Sequence, residues 1–182
     1  MINAIGFVEL NSIAKGMEVA DHMLKTANVQ LMFSTATCPG KYITLIYGDV
    51  GSVENSIKAG KELGKEFIID DLMIPNVDEQ LFPAMTGSAT IDKIGAIGVI
   101  ESLAMASLIV AADTCVKSSG VQLVDLRLGS GIGGKSYVVM TGDISEVNAS
   151  MEAGVASIKE SGNIVYYSII PSPHKNFKST LL

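Results

Sequence analysis

Tryptophan is absent from this 182-residue chain, and aromatic residues make up only 5% of it. A core without them must be built from Ala, Val, Ile, Gly and Met, which suits thin, closely packed layers. Two cysteines are too few for a disulfide framework and point to the cytosol. Lys and Arg together number 13 against 19 Asp and Glu, a formal net charge of −6. No surplus of cations exists to neutralise phosphates, so a nucleic-acid partner is excluded. No apolar run approaches the length that spans a bilayer, so no membrane partner is expected. The opening MINAIGFVELNS has neither a basic n-region nor a cleavage site, and no secretory signal is expected from it.

What the chain does have is itself, twice. AIGFVEL at 4–10 returns as AIGVIES at 96–102. Ala14, Ala20, Asp21, Lys25, Val29, Gln30 and Leu31 recur as Ala106, Ala112, Asp113, Lys117, Val121, Gln122 and Leu123. Gly48-Asp49-Val50 returns as Gly142-Asp143-Ile144, Ala59-Gly60 as Ala153-Gly154, and Ile74-Pro75 as Ile170-Pro171. Identity in the same order at about half the chain length means two homologous domains and not a solenoid. The expected division is 1–75 for the first domain, 76–93 for a linker, and 94–182 for the second domain with its tail.

Each repeat reads as β-α-β-β-α-β, the ferredoxin-like order of an α+β fold. Ala4–Glu9 is β-rich. Ile13, Met17, Ala20 and Leu24 follow helical spacing within Ser12–Ala27. Asn28–Phe33 and Lys41–Tyr47 read as strands joined by a loop, and Phe67–Met73 as a last strand. Val50–Leu63 reads as a helix that Asp49 or Ser52 could cap. The linker is rich in turn formers, with one helical turn expected around Glu79–Ala84.

Three groups of residues invite a chemical reading. Gly129-Ser130-Gly131-Ile132-Gly133-Gly134-Lys135-Ser136 satisfies the P-loop and dinucleotide patterns literally. Both patterns need a helix after the loop, so that N-terminal amides face phosphate. Tyr137–Thr141 reads as a strand instead, which makes this a hairpin loop. Cys115 overlays on Met23 in the apolar face of the first helix, where it serves as a small hydrophobe. Cys38 falls in the inter-strand loop near the position of Ile132. Taken alone it is an incidental loop thiol, because an iron–sulfur cluster needs about four ligands. Lys25 and Lys117 sit late in their helices, where a cation favours the helix dipole. His22 and His174 are too isolated for a metal site. Asp70, Asp71, Glu9 and Glu101 lie at strand ends with no nucleophile or paired base nearby, so no enzyme is expected.

The repeated A-I-G-x-[VI]-E opening, the A-D-x-x-x-K-x-x-x-V helix at Ala20–Val29 and Ala112–Val121, and the G-D-[VI] turns resemble the bacterial microcompartment shell family. Ile170-Pro171-Ser172-Pro173-His174 completes the pattern, whereas Ile74-Pro75-Asn76-Val77-Asp78 lacks its second Pro and its His. The resemblance covers nearly the whole chain, in its tandem two-domain form, and is nearest to members from propanediol-utilisation compartments. It implies a cytoplasmic protein of a microcompartment shell, forming a homotrimer that mimics a hexamer. Two pore loops, Ser34-Thr35-Ala36-Thr37-Cys38-Pro39-Gly40 and Gly129-Ser130-Gly131-Ile132-Gly133-Gly134, would alternate around its axis. It also implies a 4Fe–4S cluster held by Cys38 from three subunits, for electron transfer or cluster delivery across the shell. Lys25, Lys117 and His174 would make tile-edge contacts. The implied partners are other shell proteins and encapsulated redox enzymes. The competing expectation is a soluble trimeric ferredoxin-like regulatory protein that binds a small ligand and carries no cluster.

Overall fold

The structure is a computed structural model and describes residues 3–161 and 163–181. The chain divides into two compact units, Met1–Val77 and Asp78–Leu182. In the first, β1 (Ala4–Leu10), α1 (Ile13–Thr26), β2 (Gln30–Thr37), β3 (Lys41–Gly48), α2 (Val50–Gly64) and β4 (Ile68–Pro75) follow the β-α-β-β-α-β order. The second opens with α3 (Leu81–Thr86). It repeats the order as β5 (Ala96–Ser102), α4 (Met105–Ser118), β6 (Gln122–Leu128), β7 (Ser136–Gly142), α5 (Ile144–Ser157) and β8 (Ile164–Ile170), and adds α6 (Lys175–Lys178). The two sheets are ordered β2-β3-β1-β4 and β6-β7-β5-β8, with antiparallel pairing throughout.

The registers match as closely as the sequences. Ala4 pairs with Gly48 as Ala96 pairs with Gly142, and Ile5 with Ile74 as Ile97 with Ile170. The bulge after Leu31 in β2 returns after Leu123 in β6. Central β1 is buried along its whole length, which explains why AIGFVEL runs nearly continuously apolar. Ala4, Val8 and Leu10 meet Val19, Met23, Val53 and Ile57 of the two helices in one cluster. In the second unit, a Cβ on Gly98 would strike Met151 of α5. Alternation therefore turns Ile97 to the opposite face. There Ile97, Val124 and Val139 pack with Ile94, and Ile91 and Leu181 close over them.

Helix ends follow their caps. Ser12 Oγ accepts from the Lys15 amide at 3.3 Å, and Asp49 Oδ1 from the Ser52 amide at 2.9 Å. Asp143 and Glu146 form a reciprocal capping box on α5. Where α4 and α5 cross, a Cβ on Gly154 would overlap the Cys115 sulfur and lie 3.3 Å from the Ala111 carbonyl oxygen. Only hydrogen fits there.

One sequence expectation needs correction, and another gains detail. The loop expected to start at Ser34 starts later, because Ser34, Thr35, Ala36 and Thr37 pair with Thr44, Ile43, Tyr42 and Lys41 and extend β2. Threonine and serine are compatible with a strand, and polarity alone misplaced the boundary. The segment between the repeats, expected as the linker 76–93, holds its expected helical turn as α3 and packs from Asp78 onward with the second unit. Packing of Leu81 and Ala84, both buried, decides this over its turn-rich composition.

Candidate functional site

The two hairpins at β2–β3 and β6–β7 occupy equivalent places and differ in build. The first turns within Cys38-Pro39-Gly40, closed by the Gly40 amide donating to the Thr37 carbonyl at 3.0 Å. Cys38 is partly exposed at this turn and forms no disulfide. The second spans Gly129–Lys135. The Gly129 amide donates to the Lys135 carbonyl at 3.0 Å, and the Lys135 amide to the Ile132 carbonyl at 3.3 Å. Gly131 and Gly133 have φ of 74° and 66°, with open space where a Cβ would lie. Backbone conformation, not crowding, selects glycine at these positions. The strand β7 follows the loop, so no helix N-terminus faces it and the P-loop pattern is a coincidence of composition.

Both hairpins are fastened at the base by an ion pair that sequence reasoning passed over. Lys41 Nζ meets Glu9 Oε1 at 2.5 Å, and Lys135 Nζ meets Glu101 Oε2 at 3.0 Å. Each pair ties the first residues after the loop to the central strand. The signal was present: Glu9 and Lys41 recur together as Glu101 and Lys135. The pairs differ in depth, since the Glu9 side chain is 2% exposed and that of Glu101 33%.

The remaining titratable residues fall into place as structure. Cys115 is buried and its thiol donates to the Ser150 carbonyl at 3.2 Å. Burial pushes that thiol up to about 12. Asp70 is raised, chiefly by burial, and Asp71 pairs with Lys61 at 2.8 Å. Lys25 and Lys117 are exposed at the last turns of α1 and α4, and each pairs with the Asp one turn earlier, at 2.5 and 2.6 Å. His174 lies at the N-cap of α6, where its Nδ1 accepts from the Asn176 amide at 3.3 Å. His22 is exposed.

One cluster was not anticipated. Asp125 and Arg127 alternate onto one face of β6, and Tyr137 stands opposite Arg127 on β7. The Tyr137 hydroxyl donates to Asp125 Oδ2 at 2.9 Å, and Arg127 Nε lies 2.8 Å from Asp125 Oδ1. With Gly87, Ala89 and Leu181 they line an open cavity of about 350 Å³ within the second unit. The corresponding positions in the first repeat, Phe33, Thr35 and Ile43, carry no charge. The cluster is therefore peculiar to one repeat, and the search for repeated residues could not find it.

Among the described residues, no three His, Cys, Asp or Glu side chains gather where they could hold a metal ion. No helix among them is long and apolar enough to cross a membrane.

Two copies of one α+β tile, each with a hairpin loop at an equivalent place and a lysine near the end of its first helix, define a duplicated assembly domain. The BMC domain profile matches residues 4–77 and 96–173, and the chain belongs to this family, that of bacterial microcompartment shell proteins. It is 45% identical to the bacterial microcompartment shell protein PduT of Citrobacter freundii, over 97% of this chain and 96% of that one. A crystal structure of a microcompartment protein from Desulfitobacterium hafniense superposes with a TM-score of 0.92 at 47% identity, covering 98% of this chain and 99% of that one. The carboxysome shell protein CcmK2 of Synechococcus elongatus is 39% identical over 47% of this chain and 84% of its own. A relative whose length corresponds to about one repeat agrees with the duplication.

Proposed function

We propose that this microcompartment shell protein builds its tile as a trimer, with six BMC domains around one axis and the two kinds of hairpin alternating at the pore. The observation that carries this reading is the duplication itself. Two domains of matching register, each with a hairpin at the same place, generate sixfold-like closure from three chains. Such a tile is a structural element, and its other partners are further shell proteins. Redox enzymes enclosed by the shell are the candidates for exchange across the pore.

We further propose that the pore holds a 4Fe–4S cluster through Cys38. The donor fits in kind: it is a partly exposed thiol on a tight turn. One chain lacks the number, and three copies about an axis supply three thiolates, leaving one iron for another ligand. The Gly40 turn and the Lys41–Glu9 pair fasten the hairpin that carries each thiol. When bound, such a cluster supplies electron-transfer capacity.

Sedimentation tests the tile: a trimer is expected, and a monomer at micromolar concentration would overturn it. Anaerobic reconstitution with iron and sulfide tests the cluster, read by visible absorbance and EPR. Wild type and Cys115→Ser should develop the chromophore, and Cys38→Ser should not while remaining trimeric. Equal iron and sulfide uptake by Cys38→Ser would refute the assignment.

A further inference from the structure

The segment that follows each repeat has the same local geometry but a different fate. After β4, Asp78 Oδ1 accepts from the Gln80 amide at 3.0 Å and the Asp78 carbonyl accepts from the Leu81 amide at 3.2 Å. After β8, His174 Nδ1 accepts from the Asn176 amide at 3.3 Å and the His174 carbonyl from the Phe177 amide at 2.9 Å. Asp78, Gln80 and Leu81 therefore correspond to His174, Asn176 and Phe177, as the spacing from Ile74 and Ile170 requires.

The first of these segments is docked. The Asp78 amide donates to Asp113 Oδ1 of α4 at 2.9 Å. Gln80 bridges the edge strand β6: its Oε1 accepts from the Leu123 amide at 3.1 Å, and its Nε2 donates to the Val121 carbonyl at 3.5 Å. Leu81 is fully buried. The second segment is open, with Phe177 45% exposed and His174 and Asn176 exposed. The receiving surface is open as well on the first repeat. Asp21, the counterpart of Asp113, has a side chain 62% exposed where that of Asp113 is 9%. Leu31 is exposed on edge strand β2 where Leu123 is buried, and α1 also exposes Ile13 and Met17. One chain thus carries one occupied socket, one empty socket, and one free plug.

We propose that His174–Phe177 of one copy docks on the α1–β2 edge of the first unit of a second copy, in the manner of Asp78–Leu81 on α4 and β6. The His174 amide takes Asp21 Oδ1 as acceptor. The Asn176 carboxamide, one methylene shorter than that of Gln80, bridges toward Val29 and Leu31. Phe177 buries its ring where Leu81 packs in the second unit. Charge follows the change of partner. Lys175 and Lys178 replace Glu79 and Phe82 in the plug, and α1 carries Glu18 where α4 has Val110. A plug at one end and a socket at the other make a head-to-tail contact, the kind that in the proposed trimer closes into a ring. The inference rests on the trimeric tile proposed above and names the residues that close it. The competing arrangement keeps the tail on its own second unit, where Leu181 packs over Val124 and Val139.

Full-length chain with Asp21→Cys and His174→Cys in a Cys38→Ser background tests this, because docking would set residue 174 against the side chain of residue 21, as the Asp78 amide lies 2.9 Å from Asp113 Oδ1. Oxidation should give covalent two- and three-chain species with the peptides around residues 21 and 174 joined. Mixing isotopically labelled and unlabelled copies should show the link between chains. A link within one chain, or no link in a protein that still sediments as a trimer, overturns the inference and leaves the tile reading standing. A monomer by sedimentation sinks both. Phe177→Glu, with Asp21 and His174 native, should raise the concentration for half-dissociation by about ten-fold or more with an unchanged circular dichroism spectrum. Unaltered association would overturn the inference equally.

Discussion

Lys41→Met should cost about 2–3 kcal/mol of stability, and Lys135→Met less than about 1 kcal/mol, although the two lysines occupy equivalent positions. At an effective dielectric of about 20, unit charges 2.5 Å apart, as in Lys41 and Glu9, attract by roughly 7 kcal/mol before desolvation. Desolvation offsets most of that while the pair is intact, so the pair itself adds little. Deleting one member is different, because the Glu9 carboxylate, 2% exposed, stays in place with no counter-charge. Such deletions cost about 3–5 kcal/mol when both partners are buried. The Lys41 side chain is 23% exposed, and water entering where it stood trims the loss to the value given. At the second hairpin Glu101 and Lys135 are 33% and 47% exposed, and water screens and replaces the partner. Urea unfolding at fixed protein concentration reads the difference, with fixed concentration needed because association contributes to stability. Glu9→Gln combined with Lys41→Met should recover most of the loss, since no charge is then left buried. Equal losses at Lys41 and Lys135, or no recovery in the double variant, would refute the reasoning.

Cys115 should resist alkylation in the folded protein at pH 8 while Cys38 reacts, because burial pushes the Cys115 thiol up to about 12. The same shift has a sign in stability. The unfolded chain sheds this proton near 9.0 and the folded one near 12, so stability should fall as pH rises between them, and Cys115→Ala should flatten that fall in a denaturation series. Gly154→Ala should destabilise by about 1–3 kcal/mol, seen as a lower urea midpoint, because a methyl group has no room between α4 and α5; a neutral result would show that the helices separate freely. In the dissociated chain Lys25→Ala should change stability by no more than about 0.5 kcal/mol, because Asp21 is exposed there, while Lys117→Ala should cost about 1–2 kcal/mol by unpairing buried Asp113. Both variants should form smaller sheets by electron microscopy, and sheets of undiminished extent would make these lysines ordinary surface charges.

The fold was legible because it is written twice. Periodicity alone places a helix near Ser12–Ala27, and its recurrence around Asp113 and Lys117 removes the ambiguity of a single short pattern. Boundaries were legible where a cap or a glycine marks them, as at Ser12, Asp49 and Gly129. They were not where tertiary pairing overrides composition. Ser34–Thr37 looks like loop and is strand because Lys41–Thr44 supply its partners. The docked segment at Asp78–Leu81 was hidden for a related reason: its fold depends on Asp113 and on an edge strand more than 30 residues away, and nothing local announces them. Repetition also set the limit of what could be seen. It carried a signal for Lys41 and Lys135 that the reading passed over, and it stayed silent on Asp125, Arg127 and Tyr137, which only one repeat possesses.

Duplication would set the number of thiols at the proposed pore. Six identical domains about an axis would present six copies of one loop, and a cysteine in it would bring six thiols together. In the proposed tile, three chains with two diverged domains would present three copies of Cys38, which suits the proposed four-iron cluster with one open corner. The alternate hairpins would then have to make room. Four of the seven residues from Gly129 to Lys135 are glycines, all at positive φ, so this loop carries few side chains. Gly131→Val and Gly133→Val strain the backbone at φ of 74° and 66° and place bulk beside the proposed thiol triad. In the proposed ring these changes should lower cluster occupancy while leaving Cys38, the trimer and the Lys135–Glu101 anchor in place. Iron content per trimer after anaerobic reconstitution measures this. Full occupancy in Gly131→Val/Gly133→Val would show that the glycine loop does not approach the axis, and the alternating arrangement of hairpins would have to be abandoned.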